Sequence, residues 1–304
     1  MKSYLTHRFM PYLLLALGTL FWSTNFLLGR LLAQTVSPFT LCAGRFSVAA
    51  VVFAGLAFWF RWPRPRGREW ILLVAMAFTG IFLFNTVLYW GLSYTTAINA
   101  TLVNSLNPLV TLLMAVIFLR EKTTWRLSIG ILSSVLGVIV IAARGDWNIL
   151  QHLQFNPGDL LILVGTFIWG SYTICVRLIT RHFPVVPATV YATWIGVFFL
   201  YPAVWNEMRG QPLSLSPVVI VSFVYLGLFA SVLAFLFWNW SVSQIGALRA
   251  AVCYNLIPLY AAVLSPLLLS EKLYFFHFIG GLLIVGGVFM GIWPEKKPSP
   301  QLGT

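Results

Sequence analysis

Long apolar runs alternate along the chain with short polar stretches. Ten of these runs extend over about 20 residues, the length that an α-helix needs to cross the hydrocarbon core of a bilayer. The predicted spans are residues 10–33, 38–60, 70–92, 95–119, 125–143, 158–180, 186–205, 217–240, 247–269 and 274–293. The pattern therefore predicts an all-α membrane protein with ten transmembrane helices.

The composition agrees with a membrane protein and disfavours other classes. Hydrophobic residues make up 60% of the 304 residues and charged residues only 9%, whereas soluble domains carry about 25% charged residues. The net charge of +12 does not indicate a nucleic-acid partner, because the basic residues lie in short loops between apolar runs. The three cysteines, Cys42, Cys175 and Cys253, lack the spacing of metal ligands or of a disulfide framework. We expect no metal and no cofactor.

The lysines and arginines lie mainly on one side of the predicted membrane. If the N-terminus is inside, twelve of the 19 basic residues fall in inner segments and three in outer loops. The remaining four lie within predicted spans: Arg30, Arg45, Arg177 and Arg249. The positive-inside rule then predicts that both termini are cytoplasmic. We expect an integral protein of a bacterial inner membrane.

The two halves of the chain, residues 10–143 and 158–293, repeat one another. The shared positions are Trp22 and Trp169, Arg30 and Arg177, Pro108 and Pro258, Glu121 and Glu271, Gly130 and Gly280, and Gly137 and Gly287. Because each half holds five spans, the second must enter the membrane from the opposite side. Two inverted five-helix repeats are typical of carriers, which bind substrate near the midplane between the repeats.

The first span of each repeat carries polar residues where lipid would be expected. Trp22 and Asn25 share one helical stripe with small residues, and Trp169 and Tyr172 occupy the equivalent stripe of span six. An asparagine that faced lipid would leave its amide groups unsatisfied, so the stripe should face protein or water. Two alternatives stay open: the four residues line a substrate path, or they support close helix packing.

Span three repeats this pattern, with Phe78, Asn85 and Tyr89 on one predicted stripe. The equivalent positions of span eight are apolar, which would suit a ligand with one polar and one apolar end. The alternative is that Asn85 and Tyr89 hydrogen-bond within the first repeat. For Trp90 and Trp238 we expect positions in the aromatic belts at the membrane interfaces.

Spans four and nine supply the remaining candidates for substrate binding, which are Asn99, Asn104, Arg249, Tyr254 and Asn255. Pro108 and Pro258 follow them as predicted hinge or packing positions, since a proline frees a backbone carbonyl and bends a helix. Arg249 could bind a substrate carboxylate bidentately. Alternatively, it extends to the cytoplasmic surface.

The distribution of acidic residues bears on coupling. All seven acidic residues lie in loops or at span ends, so no mid-membrane carboxylate is predicted to relay protons. A carrier driven by a buried carboxylate is therefore disfavoured. Arg45 has no evident acidic partner, and we expect it to cap carbonyls or to tether the two halves.

The inverted ten-span repeat, the tryptophan-containing first span of each half, and the segments "NPLVTLLMAVIFLREK" and "IPLYAAVLSPLLLSEK" resemble one known family. They are similar to the EamA-type ten-helix branch of the drug/metabolite transporter superfamily. The resemblance implies a central cavity lined by spans one, three, four, six, eight and nine, with spans five and ten at the periphery. It also implies an exporter or carrier of small metabolites, often amino acids.

These features together predict a secondary transporter, and specifically an exporter of small metabolites such as amino acids, that works by alternating access. We expect a small-molecule substrate and membrane lipid as partners, no nucleic acid, and a monomer or homodimer. An embedded enzyme is disfavoured, because no cluster of catalytic side chains lies at membrane depth. The alternative is a membrane-embedded sensor or structural protein with a vestigial carrier fold.

Overall fold

The computed structural model describes residues 2–32, 35–60, 62–95, 100, 103–143, 146, 148, 151–152, 156–210, 216–269 and 274–293. All regular elements in these ranges are helices. They are α1 (Lys2–Leu32), α2 (Pro38–Trp59), α3 (Arg68–Tyr94), α4 (Asn107–Leu119), α5 (Trp125–Ala142), α6 (Pro157–Ile179), α7 (Val185–Gly210), α8 (Pro217–Ile245), α9 (residues 247–269) and α10 (Phe275–Ile292).

Nine of these helices are long and apolar enough to cross a membrane, and α4 is a shorter apolar helix in the part of the chain that is described. The predicted all-α membrane fold with ten helices is confirmed. Several helices begin at a proline after a polar cap, since proline needs no backbone donor in the first turn. In α6 the caps are reciprocal, because Asn156 accepts from the backbone N–H of Asp159 and the Asp159 carboxylate accepts from that of Asn156.

Helices α3 and α8 each contain a π-helical segment at equivalent positions of the two repeats. The segments are Ala77–Leu83 and Leu226–Leu233. The wider turn of a π-helix shifts the register of the side chains that follow it. The single stripe predicted for span three is therefore wrong: Phe78 is 43% exposed, whereas Asn85 and Tyr89 are buried.

A break in regular helical structure precedes α4, and a second break interrupts α9. In α9, a 3₁₀ turn at Cys253–Asn255 separates Ala247–Val252 from Leu256–Leu269, and a turn at residues 105–106 precedes α4. Pro108 and Pro258 lie in the first turn after each break. A proline is tolerated in a first turn because it displaces no hydrogen bond there, and the role of both prolines as hinge or packing positions stays a prediction.

The two repeats interleave. Helix α1 packs against α8 and α9 of the second repeat, and its counterpart α6 packs against α3 and α4 of the first. Likewise, α2 packs against the π segment of α8, and α7 against that of α3. The core therefore lies at contacts between the repeats.

Helices α5 and α10 pack closely on each other through glycines. A Cβ atom added at Gly130 would lie 2.5 Å from the Gly287 carbonyl oxygen, and one at Gly137 would lie 2.5 Å from that of Gly280. Small residues let membrane helices approach to this distance. These four glycines therefore serve close packing.

Candidate substrate cavity

A small cavity lies near the middle of the bundle, where helices of both repeats meet. Its lining residues are Trp22, Asn25, Phe26, Arg45, Phe84, Asn85, Leu88, Trp169, Phe235 and Tyr254. The cavity is small, since the centre of a water molecule could occupy only about 10 Å³ of it. This is room for about one water molecule. A metabolite fits this cavity only after the surrounding helices separate.

The cavity is lined by α1, α2, α3, α6, α8 and α9, whereas the resemblance implied α4 in place of α2. Helix α2 contributes Arg45, whose long side chain reaches α1 and α3. The segment before α4 contributes indirectly through Asn104, which hydrogen-bonds the Tyr254 side chain. The sequence pattern could not indicate that α2 replaces α4 in the lining, because the lining depends on which helices are neighbours in the folded bundle.

Aromatic rings from four helices meet at one side of the cavity. The rings of Trp22 and Trp169 are perpendicular, with centroids 5.0 Å apart, and Trp238 lies 5.4 Å from each of them. Tyr254 lies 5.7 Å from Trp169, and Phe235 lies 5.7 Å from Trp22. Such pairs contribute about 0.5–1.5 kcal/mol each beyond area burial. The aromatic cluster therefore holds α1, α6, α8 and α9 together in this conformation.

The three indole N–H groups of this cluster differ in their partners. Trp22 Nε1 donates to the Ala230 carbonyl oxygen at 3.1 Å, within the π segment of α8. The Nε1 atoms of Trp169 and Trp238 are buried and have no hydrogen-bond partner among the described residues. The expected interfacial position of Trp238 is wrong, since its side chain is 1% exposed while Trp90 is 43% exposed. Trp238 turns inward because α8 packs against α1 at this level.

The cavity is also bordered by a polar group that we call the Arg45 network: Asn25, Arg45, Asn85 and Tyr89. One guanidinium nitrogen of Arg45, Nη1, donates to Asn25 Oδ1 and to the Tyr89 hydroxyl, the latter at 3.0 Å. The other, Nη2, donates to Asn85 Oδ1 at 3.0 Å. Tyr89 in turn donates to Asn25 Oδ1 at 2.8 Å. All four side chains are at most 3% exposed.

The charge of Arg45 has no carboxylate partner among the described residues. There, the single ion pair within 4.0 Å joins Arg177 and Glu121. The sequence-based expectation that Arg45 caps carbonyls or tethers the halves is wrong, because its partners are side chains of the first repeat alone. The missed signal was the trio of Asn25, Asn85 and Tyr89, whose acceptors a mid-membrane arginine requires.

The π segment of α3 orients Asn85 toward Arg45. The Asn85 side-chain amide donates to the carbonyl oxygens of Gly80 at 2.8 Å and Ile81 at 3.0 Å. These two bonds use the nitrogen end of the side chain and leave Oδ1 as the acceptor for Arg45. The widened helix and the polar network are thus parts of one arrangement.

The second repeat carries a neutral network near the equivalent position. The Tyr172 hydroxyl donates to Asn239 Oδ1 at 2.7 Å, and Asn239 Nδ2 donates to the Thr189 hydroxyl oxygen at 2.9 Å. All three residues are buried. Sequence reasoning missed Asn239 and Thr189, although an asparagine within an apolar span is itself an indication of a buried partner.

The remaining predicted site residues take other positions. Asn255 donates to Ser134 Oγ of α5 at 3.0 Å, away from the lining residues. Arg249 is exposed and does not line the cavity. Asn99 lies outside the described residues. Among the residues that the structure describes, no group of three or more His, Cys, Asp or Glu side chains could hold a metal ion.

A second polar group, the Glu121 cluster, lies where α4 ends and α9 begins. Arg177 Nε is 3.4 Å from Glu121 Oε1, and Arg177 Nη1 donates to the Ser243 carbonyl oxygen at 2.7 Å. Glu121 also accepts from the Leu248 backbone N–H at 3.4 Å. The cluster comprises Glu121, Arg177, Ser243 and Leu248. Arg177 therefore joins α6 to the end of α4 and to α8.

The ten-helix membrane fold with a cavity between two repeats agrees with the class of membrane transporters, and comparison with protein families identifies the family. Residues 9–143 and 156–293 each match the model of the EamA-like transporter family. The chain belongs to this family, as the sequence resemblance suggested.

Similar proteins cover nearly the whole chain. An uncharacterized transporter of Archaeoglobus fulgidus is 28% identical over 92% of this chain and 96% of its own length. The uncharacterized transporter YetK of Bacillus subtilis is 28% identical over 95% and 88%. A protein of Streptantibioticus cattleyicolor named a probable terminal-alkyne amino-acid exporter is 26% identical over 91% of each chain. One solved crystal structure has the same fold, with a TM-score of 0.75, 21% identity, and coverage of 92% of this chain and 95% of the other.

Proposed function

We propose that this protein is a secondary transporter that exports small metabolites such as amino acids by alternating access through the central cavity. The observation that carries the proposal is the cavity itself. It lies between the two repeats, is lined by aromatic and polar side chains, and is almost closed in this conformation. Both termini would lie on the cytoplasmic side of a bacterial inner membrane.

The pairing of irregular segments supports alternating access. The π segments of α3 and α8 lie at equivalent positions of the repeats, and so do the breaks before Pro108 and Pro258. In inverted-repeat carriers, such discontinuous helices surround the site, and the two repeats exchange conformations to open it to one side and then to the other. Pro108 and Pro258 would then lie where α4 and α9 change angle.

The chemistry of the lining supports an amphipathic substrate. One side offers the rings of Trp22, Trp169 and Tyr254, and the other offers Asn25 and Asn85. We propose that these five residues contact the substrate, while Tyr89, Tyr172 and Asn104 hold them in place. The name of the Streptantibioticus relative adds support for amino acids. Arg249, Asn255 and Asn99 stay predictions of the sequence.

The proposal is tested by uptake into proteoliposomes that contain the purified protein. Labelled aromatic and aliphatic L-amino acids would be offered with and without an imposed pH gradient. We expect saturable uptake without the gradient, because none of the described residues that line the cavity is acidic and could bind a proton. Failure to take up any amino acid would overturn the proposed substrate class.

A pair of tryptophan variants shows whether uptake passes through this cavity. Trp169→Ala removes a lining ring, whereas Trp59→Ala removes an indole that is 81% exposed. We expect a large loss of uptake in Trp169→Ala and wild-type uptake in Trp59→Ala. Equal uptake in the two variants would place the transport path elsewhere.

A further inference from the structure

We propose that Arg45 binds the carboxylate group of the transported molecule, and that the substrates of this protein carry one carboxylate. The inference rests on the proposed function in one respect, since it assumes that the substrate occupies the central cavity. It adds the chemical class of the substrate and the residue that selects it.

The first observation is an unmatched charge. Arg45 is 1% exposed and lines the cavity, yet its hydrogen-bond partners among the described residues are neutral side chains. Among the described acidic residues, Glu207 is engaged at the start of α2, where Ser37 and Thr40 donate to it, and Glu121 pairs with Arg177. A buried cation without an anion is unfavourable, and a bound carboxylate would compensate it.

The second observation is the geometry of the free donors. A guanidinium carries five N–H groups, and Arg45 donates through Nη1 to Asn25 and Tyr89 and through Nη2 to Asn85. The buried Nε–H has no partner among the described residues. Nε–H and the second Nη2 hydrogen remain, and adjacent guanidinium donors bind carboxylates bidentately.

The third observation concerns the buried polar atoms around the cavity that have no hydrogen-bond partner. Among the described lining residues, the buried polar side-chain atoms without a hydrogen-bond partner are Arg45 Nε and Trp169 Nε1. Both are N–H donors. A site with surplus donors suits a ligand that accepts hydrogen bonds, as a carboxylate does.

The rest of the lining limits the ligand to a single negative charge. Among the described residues of the lining, Arg45 is the one basic residue and none is acidic, so a multiply charged anion or a metal ion would be poorly compensated. The aromatic rings can accept the apolar body of a metabolite, and an ammonium group would bind a ring face. An amino acid, or another metabolite with one carboxylate and an apolar body, meets these conditions.

The test compares carboxylates with matched amides. The purified wild-type protein would be heated with L-phenylalanine, L-leucine, their amides, 3-phenylpropionate, or inorganic phosphate, because a ligand that binds the folded state raises the Tm. Proteoliposome uptake would be measured for the same compounds. We expect carboxylates to bind about tenfold to hundredfold more tightly than the amides, the range for a charge-assisted hydrogen-bonded pair.

Two substitutions and a control then assign the preference to Arg45. Arg45→Gln should abolish the preference for carboxylate over amide, and Arg45→Lys should retain part of it because the charge remains without the planar fork. Arg64→Gln makes the same chemical change in an exposed loop residue and should leave the preference unchanged. The wild-type comparison stands even if an Arg45 variant fails to fold.

The outcomes separate this inference from the proposed function. Uptake of amino acids and amides with equal affinity would overturn the role of Arg45 and leave the transporter proposal intact. Binding of 3-phenylpropionate without uptake of any amino acid would support the carboxylate site and overturn the amino-acid assignment. Binding of phosphate but of no carboxylate, or an unchanged preference in Arg45→Gln, would overturn the inference.

Discussion

The Arg45 network and the Glu121 cluster each surround an arginine of a transmembrane helix, but they treat its charge differently. In the Glu121 cluster the protein supplies the anion itself, and the two side chains are partly accessible, at 26% for Arg177 and 19% for Glu121. In the Arg45 network the arginine is buried among amides and a phenol. The protein neutralises the charge of Arg177 with Glu121, but it leaves the charge of Arg45 at the cavity without an anion among the described residues. An external anion is therefore needed at Arg45 and not at Arg177.

The comparison also separates a structural role from a binding role. The Glu121 cluster joins α4, α6, α8 and α9 through an ion pair and backbone contacts. Its charges are matched internally, so removing one should alter stability more than selectivity. The Arg45 network lies within the cavity lining, so changes there should alter which molecules bind.

The largest expected effect comes from giving Arg45 an internal anion. Asn25→Asp is nearly isosteric and places a carboxylate where Asn25 Oδ1 now accepts from Arg45 and Tyr89. The new anion competes with the substrate, so the affinity for carboxylates should fall about tenfold to hundredfold, while the Tm is kept or raised. Both are measured by uptake and by thermal unfolding.

Asn239→Asp in the second repeat is the matched control for this change. It introduces a carboxylate into the network of Tyr172, Asn239 and Thr189, whose hydrogen-bond partners among the described residues include no cation. We expect it to lower the Tm, because a buried charge without a partner is unfavourable. If Asn25→Asp took up carboxylates as well as the wild type does, the proposed distinction between the Arg45 network and the Glu121 cluster would be wrong.

The next effect concerns the two buried tyrosines. Tyr89→Phe removes a hydroxyl that donates to Asn25 and accepts from Arg45, whereas Tyr172→Phe removes one that donates to Asn239. Each should destabilise the protein by about 1 kcal/mol, the usual net value of one hydrogen bond. Tyr89→Phe alone should also change the carboxylate-to-amide preference, which competition uptake measures. A similar change in both variants would argue against a special role for the first network.

A smaller effect is expected in the Glu121 cluster. Glu121→Gln removes the ion pair with Arg177 and should destabilise the protein by about 1 kcal/mol, as partly exposed pairs do. Uptake of carboxylates and amides should change by the same factor. The control is Glu69→Gln. The Glu69 carboxylate accepts a solvent-exposed hydrogen bond from the backbone N–H of Arg66. A selective loss of carboxylate uptake in Glu121→Gln would show that this cluster contacts substrate.

The smallest effect is expected for Arg249→Gln. Arg249 is exposed and absent from the cavity lining, and surface substitutions usually change stability by less than about 0.5 kcal/mol. Uptake of carboxylates should therefore stay within about twofold of wild type. The sequence alone left two alternatives open for Arg249, a contact with a substrate carboxylate or a position at the cytoplasmic surface. A selective loss of carboxylate transport in this variant would move the carboxylate site from Arg45 to Arg249.

The helices were predictable because their signal is local. A run of apolar residues long enough to cross a bilayer shows in the sequence, and the prolines that begin α2, α6 and α8 mark helix starts. Trp22, Asn25, Asn85, Trp169 and Tyr254 were also predicted from the sequence and line the cavity. The signal was clearest for the asparagines, because an amide in a membrane helix requires a protein or water partner.

The tertiary structure decided which of these side chains meet. Ordinary helical periodicity cannot locate the π segment that turns Asn85 toward Arg45, nor bring Trp238 into the aromatic cluster. It also could not distinguish Arg45, buried without a carboxylate, from Arg177, which pairs with Glu121. The sequence by itself determined the helices, their repeat and the transporter family, because these depend on apolar length and spacing. The partners of each charge depend on contacts between helices far apart in the chain, and only the folded bundle establishes those contacts.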